Sequence, residues 1–483
     1  MNSTLRRRAA GAAGLFLPVL IVATAYAQPT ALYDFVSPGV VTDGYGTAVA
    51  GPGDVDGDSV PDVAVGSYAH DGPMGAGAGR VYVYSGATGA LIHLFEGPSA
   101  GAGLGASVAG ADVTGDLQAD IIAGAPGVGR VFVYDGATGA VLHELVGGPS
   151  FGASVAGAGF VDPDLQADFI VGEPDVRAAW VFSGATGGIL HAFFQGLDAY
   201  AFGAAVGATF GALLVGAPNA DTAAHTDAGR VFVFSSTDGS FIREFEGEDT
   251  GDRFGSALAG FTVGDVDADG THDIAVGAWR RACVAGTECG KAYVFSMADG
   301  SLLHSWEGEE QGTWMGYAVG GAGDVNGDNH DDVLVGAPDT YLPMGAGPGR
   351  AIVFGGATGV KLYEWTNPTV AGFQHGYALA YGGDMNGDGL GEVITANLRF
   401  DMLGFPYGHA YVYSFAPACG GCPPPPGATV PASAGSLGAN AALYFAPALG
   451  ILWWRRRRAR PASTPFSPPN TGRAPRRGSA RRR

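Results

Sequence analysis

Gly79-Arg80-Val81-Tyr82-Val83-Tyr84-Ser85-Gly86-Ala87-Thr88-Gly89 is a strand and its turn: apolar residues alternate between two bounding glycines, the pattern of a half-buried strand. The strand returns as Gly129-Arg130-Val131-Phe132-Val133-Tyr134 and as Gly229-Arg230-Val231-Phe232-Val233-Phe234. Gly-Ala-Thr-Gly stands at 86–89, 136–139, 184–187 and 356–359, each time ahead of a further alternating run. Outward from this strand a whole unit takes form. It has an apolar residue with Gly, small-residue alternation, an acidic loop, an apolar strand ending in Gly, a variable loop, the strongly alternating strand and an outer strand. Seven units open near Tyr45, Leu104, Phe151, Phe202, Phe254, Met315 and His375, at spacings of 47 to 61 residues. Four strands per unit at that period is the pattern of propeller blades.

The seventh unit stops at Tyr411-Val412-Tyr413-Ser414-Phe415 without an outer strand. Ala31-Leu32-Tyr33-Asp34-Phe35-Val36, ahead of the first unit, matches the outer-strand phrases Leu91-Ile92-His93-Leu94-Phe95-Glu96 and Lys361-Leu362-Tyr363-Glu364-Trp365. The expected fold is therefore an all-β, seven-bladed β-propeller over residues 31–417, closed by the N-terminal strand in blade seven, which removes free sheet edges. An open solenoid gives no reason for that permutation.

Phe151-Gly152, Phe202-Gly203 and Phe254-Gly255, with Gly124-Ala125-Pro126, Gly216-Ala217-Pro218 and Gly336-Ala337-Pro338, resemble the marks of FG-GAP repeats. The chain is similar in this to the seven-bladed head of integrin α subunits. It lacks the leg-like domains that follow there, so it resembles a bacterial relative of that family. The resemblance implies metal loops set away from the ligand face, stiffening the blades.

The acidic loops share one spacing. Asp54, Asp56, Asp58 and Asp62 recur as Asp265, Asp267, Asp269 and Asp273, as Asp324, Asn326, Asp328 and Asp332, and as Asp384, Asn386, Asp388 and Glu392. Oxygens at loop positions 1, 3, 5 and 9, with the position-7 carbonyls of Val60, Thr271, His330 and Leu390, can wrap one hard cation. Ca²⁺ suits several carboxylates in a flexible loop better than Mg²⁺. An EF-hand is excluded, because position 12 is Val65, Val276, Val335 or Thr395 rather than Glu, and strands flank the loop. Ion-free Asp-Gly turns are the plain alternative. Blade two keeps Asp112, Thr114, Asp116 and Asp120; blade three has Phe160 at position 1 before Asp162, Asp164 and Asp168; blade four deletes the loop at Ala208-Thr209-Phe210-Gly211-Ala212-Leu213 and must pack without metal.

The ends read as export signals. Arg6 to Arg8, an apolar run and Ala25-Tyr26-Ala27 make residues 1–27 a signal peptide. A Cys/Pro/Gly/Ser linker at 418–436 leads to an apolar helix at 437–454 and an Arg-rich disordered tail at 455–483. This resembles bacterial C-terminal sorting signals, and equally a plain anchor with its positive side in the cytoplasm. The expected location is the cell surface or outer envelope, anchored or released after processing. Without the Arg-rich ends the body keeps 12 basic residues against 46 acids, a surface that repels nucleic acid and attracts cations. In an exported chain, Cys283 with Cys289 and Cys419 with Cys422 are expected disulfides.

Enzyme motifs are missing: neither G-x-S-x-G, H-E-x-x-H nor a P-loop occurs, and the loops account for most Asp residues. His93, His143, His191 and His304 share one outer-strand position, which implies a structural role throughout the repeat. Four long loops, Ser67 to Gly79, Ala278 to Gly290, Asp339 to Gly349 and Asn397 to Gly408, carry Tyr68, His70, Trp279, Arg280, Arg281, Tyr341, Arg399 and Phe405, residue types of contact surfaces. The favoured reading is a non-enzymatic adhesion or ligand-binding module for an extracellular protein or glycan. A structural matrix component, or a hydrolase or lyase scaffolded on the propeller, are the alternatives.

Overall fold

A computed structural model describes residues 28–37, 43–196, 198–339, 348–366, 373–399 and 408–415. The signal peptide, the Cys419–Cys422 pair, the 418–436 linker, the apolar segment and the Arg-rich tail all lie outside them. Among the described residues no helix is long and apolar enough to cross a membrane.

Seven four-stranded antiparallel sheets form the propeller. Blade one is typical, with strands Tyr45–Ala50, Val63–Ser67, Arg80–Tyr84 and Leu91–Glu96 paired in chain order. Blade seven is composite: Phe373–Gly383, Glu392–Arg399 and His409–Ser414 pair in order, and Thr30–Val36 completes the sheet. The register runs from Thr30 opposite Ser414 to Val36 opposite His409. The closure expected from the sequence is thus observed, with strand limits within a residue or two of the expected edge.

The paired glycines of the repeat have a steric cause. A Cβ on Gly66 would stand 2.0 Å from the carbonyl oxygen of Gly105 in the next blade, and one on Gly124 equally close to that of Gly152. The Phe-Gly glycine of one blade therefore lies against the Gly-Ala-Pro glycine of the blade before it, at a distance no side chain permits. Gly105 and Gly152 also adopt φ of +87° and +84°, a region other residues rarely enter.

Side chains lock each blade to the next. His93 Nε2 meets the carbonyl of Gly136 at 2.6 Å, His143 that of Gly184 at 2.7 Å, His191 that of Ser236 at 3.0 Å and His304 that of Gly356 at 2.6 Å. The recurring histidine thus joins an outer strand to the neighbouring blade's turn. Two residues further on, Phe95 stacks on Tyr134, Phe193 on Phe234 and Trp306 on Phe354, with centroids 3.8 to 4.3 Å apart. At the closing seam Phe35 stacks in the same way on Tyr84 at 4.2 Å, and Tyr33 donates to the Gly86 carbonyl at 2.8 Å. Aromatic pairs of this geometry contribute about 0.5–1.5 kcal/mol each beyond their buried area.

Candidate metal loops and recognition face

In every blade but the fourth, the inner strand delivers the acidic loop to one face, called here the lower face. In blade one Asp54 caps its own loop: Oδ1 accepts from the N–H of Gly57 at 2.7 Å and of Asp58 at 3.1 Å, and Oδ2 from Ser59 at 2.8 Å. Asp324 and Asp384 accept from the three equivalent N–H groups at 2.7–3.1 Å. Asp265 accepts from Asp269 and Gly270. Position 5 then accepts from position 7: Asp58 from Val60, Asp269 from Thr271, Asp328 from His330 and Asp388 from Leu390, at 2.8–3.0 Å. The four loops are one structure built four times. Carboxylate oxygens of Asp54, Asp56 and Asp58 lie within 4.8 Å of one another, as do those of Asp265, Asp267 and Asp269. Hard oxygen donors at that spacing fit Ca²⁺.

Position 9 has a further role. Asp62, Asp273, Asp332 and Glu392 are fully buried. Asp62 Oδ2 accepts from the Val55 N–H at 2.6 Å and Oδ1 from the Gly86 N–H at 2.8 Å, tying the loop to the Gly-Ala-Thr-Gly turn. Asp332 makes the same pair with Val325 and Gly356, and Asp273 with Val266 and Met297. Glu392, one methylene longer, accepts from Met385 at 2.5 Å and from the Asn386 amide at 2.7 Å. Burial pushes these carboxyls up, to about 7 for Asp62, Asp273 and Glu392 and about 8 for Asp332, with the loop's other carboxylates adding to the rise. A bound cation removes the reason for that proton.

Blade two repeats the caps through Asp112 and Asp120, although Thr114 replaces the position-3 carboxylate. Blade three, set apart in the sequence by Phe160, still gathers Asp162, Asp164 and Asp168 within 4.8 Å. Blade four crosses between strands at Thr209 and Ala212 through Phe210 and Gly211 alone. An aromatic plug fills the space: Phe210 meets Phe261 edge-on at 5.1 Å and His272 at 4.6 Å. The Phe261 ring extends to Gly159 of blade three, where it would lie 3.1 Å from a Cβ. Successive loops are also chained, with Ala119 N–H to the Asp54 carbonyl at 2.6 Å, Ala167 to Asp112 at 2.9 Å and Asp331 to Asp265 at 3.2 Å.

Among the described residues, the upper face carries the loops between second and third strands. Trp279 and Trp314 pack at 4.7 Å, Trp314 stacks on Tyr317 at 5.5 Å and Tyr317 contacts Tyr377 at 4.9 Å. All four rings are half-buried. Sequence reasoning found only Trp279. The signal for Tyr317 and Tyr377 is a size change directly after the repeat glycine, where the other blades have Thr47, Ala106, Ala153, Ala204 and Ser256; Trp314 has no such mark.

The other upper-face candidates divide. Arg280 pairs with Glu288 at 2.9 Å and lies over Trp279, on the aromatic cluster. Arg281 is held by Glu248, Asp249 and Asp252, so it braces the loop. His70 is buried beside Asp43 at 3.7 Å, whereas Tyr68 is exposed. The Cys283–Cys289 disulfide is formed. Tyr341, Phe405 and the Arg399 side chain lie outside the described part.

The FG-GAP repeat model matches residues 45–84 and 315–354, the first three strands of blades one and six. The chain is similar to integrin alpha-E of Mus musculus, 32% identical over 191 residues that make up 36% of this chain and 16% of that protein. It is similar to integrin alpha-4 of Xenopus laevis, 31% over 137 residues (26% and 12%), and to integrin alpha-PS2 of Drosophila melanogaster, 32% over 166 residues (32% and 11%). The matched region spans less than a fifth of each relative's length. The chain thus carries FG-GAP repeats, folds as a seven-bladed propeller and has integrin alpha chains as homologues.

Proposed function

We propose that this chain is an exported, calcium-binding propeller that acts at the cell surface as an adhesion or ligand-binding module for an extracellular protein or glycan. Ca²⁺ is held by positions 1, 3, 5 and 9 and the position-7 carbonyl in blades one, five, six and seven, where it stiffens the blades without taking part in chemistry. The observation that carries the reading is the division of the two faces. Repeated carboxylate loops occupy the lower one, while the loops Ser67 to Gly79 and Ala278 to Gly290 and the Trp279, Trp314, Tyr317 and Tyr377 cluster occupy the upper one. Half-buried aromatic rings on a rigid scaffold are typical anchors of recognition. The integrin names of the homologues agree with it.

The test is saturable binding of the full chain to arrays of extracellular-matrix proteins and glycans in calcium, repeated with Trp279→Ala and Tyr377→Ala. Binding to one class, reduced tenfold or more in both variants with an unchanged melt, is expected. Absence of saturable binding from a calcium-loaded, folded chain returns the protein to the matrix-component reading.

A further inference from the structure

We propose that the lower face rests on a phospholipid bilayer through exposed apolar side chains of blades two to four. Leu117 and Leu165 stand at the tips of the blade-two and blade-three loops, 60% and 59% exposed, at φ of +75° and +69°. Elsewhere the same position is Ser59, Gly270, Asn329 or Gly389. A leucine in the left-handed region is strained by its Cβ, and one left in water recovers none of that by packing. The two loops are joined, since Gln166 Nε2 donates to the Thr114 carbonyl at 2.7 Å. Phe160 and Phe210, 38% and 45% exposed, continue the surface into blade four beside the Phe261 plug. Four large apolar side chains on one face of three consecutive blades mark a contact surface.

The covering partner follows from where the chain leaves. Ser414 accepts from the Asn386 side chain of the blade-seven acidic loop at 2.8 Å, so the chain exits at Phe415 on the lower face. Residues 416–436 then lead to the apolar segment 437–454 and Arg455 to Arg458. Even fully extended, a stretch of that length reaches no further than about 70 Å, so a membrane holding the segment lies on the side of the lower face from which the chain leaves. Carboxylates on the same face repel anionic headgroups until a divalent cation neutralises them, so contact requires calcium. The inference rests on calcium in the loops, as proposed above, and on residues 437–454 being the anchor expected from the sequence.

The test uses the full chain, with Cys419→Ser and Cys422→Ser, reconstituted in phosphatidylcholine–phosphatidylglycerol vesicles. An environment-sensitive fluorophore is attached at Leu165→Cys or, on the upper face, at Tyr68→Cys. In calcium the probe at 165 should be blue-shifted and quenched by brominated lipid at least twofold more than the probe at 68. EDTA, or Phe210→Asp, should abolish the difference. Equal quenching at both sites overturns the proposal, as does a blue shift without lipid quenching, which means that protein, such as a second copy, covers the patch. Flotation after an alkaline carbonate wash reports the anchor separately: chains that wash off refute the tether, whereas chains that float without quenching at 165 refute the docking alone.

Discussion

In blade one the chain takes twelve residues, Gly51 to Asp62, to pass from the inner strand to the second; in blade four it takes two, Phe210 and Gly211. Both crossings must fill the space between neighbouring blades at the lower face. Blade one fills it with oxygen-rich loop suited to a cation. Blade four borrows a ring from blade five, with Phe261 reaching past the shortened hairpin to Gly159 of blade three. With calcium bound as proposed, the propeller has two kinds of lower edge, one whose cohesion depends on the solution and one whose cohesion is built in. A cation also opposes the mutual repulsion of the carboxylates, so metal and stability are coupled in the first kind alone.

The largest break in this comparison comes from removing the metal. Each occupied site contributes about 2.7 kcal/mol when free calcium is a hundred times Kd, so chelation of four sites should lower Tm by roughly 10 °C or more in calorimetry, with Ca²⁺ restoring it at lower concentration than Mg²⁺. An unchanged Tm would make the loops simple turns.

The next effect is the pH dependence of the metal-free protein. An Asp loses its proton near pH 4 when unfolded, yet burial holds the proton on Asp62 and Asp273 up to about 7 and on Asp332 up to about 8. Between those limits the folded state binds more protons, so stability falls as pH rises from 5 to 8. Calcium should flatten the profile. A metal-free Tm that rises over this window would contradict the cause assigned to these shifts.

Single residues sharpen the contrast. Phe261→Ala should cost about 2 kcal/mol in urea unfolding, equally with calcium and with EDTA, because the plug involves no ion. Asp56→Ala should cost a similar amount in calcium and almost nothing in EDTA, where removing one of several repelling carboxylates offsets its lost hydrogen bond. The smallest expected change is a gain: Leu165→Asn should stabilise the soluble protein by a few tenths of a kcal/mol, since Asn tolerates the left-handed backbone.

Much of this architecture is legible in the chain, because a repeat states each blade seven times and exceptions then stand out. The missing outer strand after Phe415 and the extra one at Ala31 to Val36 predict the closure, and the shared position of His93, His143, His191 and His304 predicts a structural role. What escapes is contact across blades. Nothing local to Phe261 announces Gly159, and Asp62 reads as one more oxygen ligand until Gly86 is found on its other oxygen. The upper-face aromatics escape for the same reason: Trp279 and Trp314 come from different blades and meet only once the ring is formed.

The seam in blade seven also sets an order of events in time. Asp34 and His409 pair across 375 residues of chain, so the last sheet cannot form until the whole domain has been synthesised. Local hairpins assemble quickly, while closing so long a loop carries the largest entropic cost and the slowest step. Under the export proposed above, that delay keeps the ring open, and able to pass as a strand, until Thr30–Val36 and His409–Ser414 have both crossed to the side where calcium is plentiful.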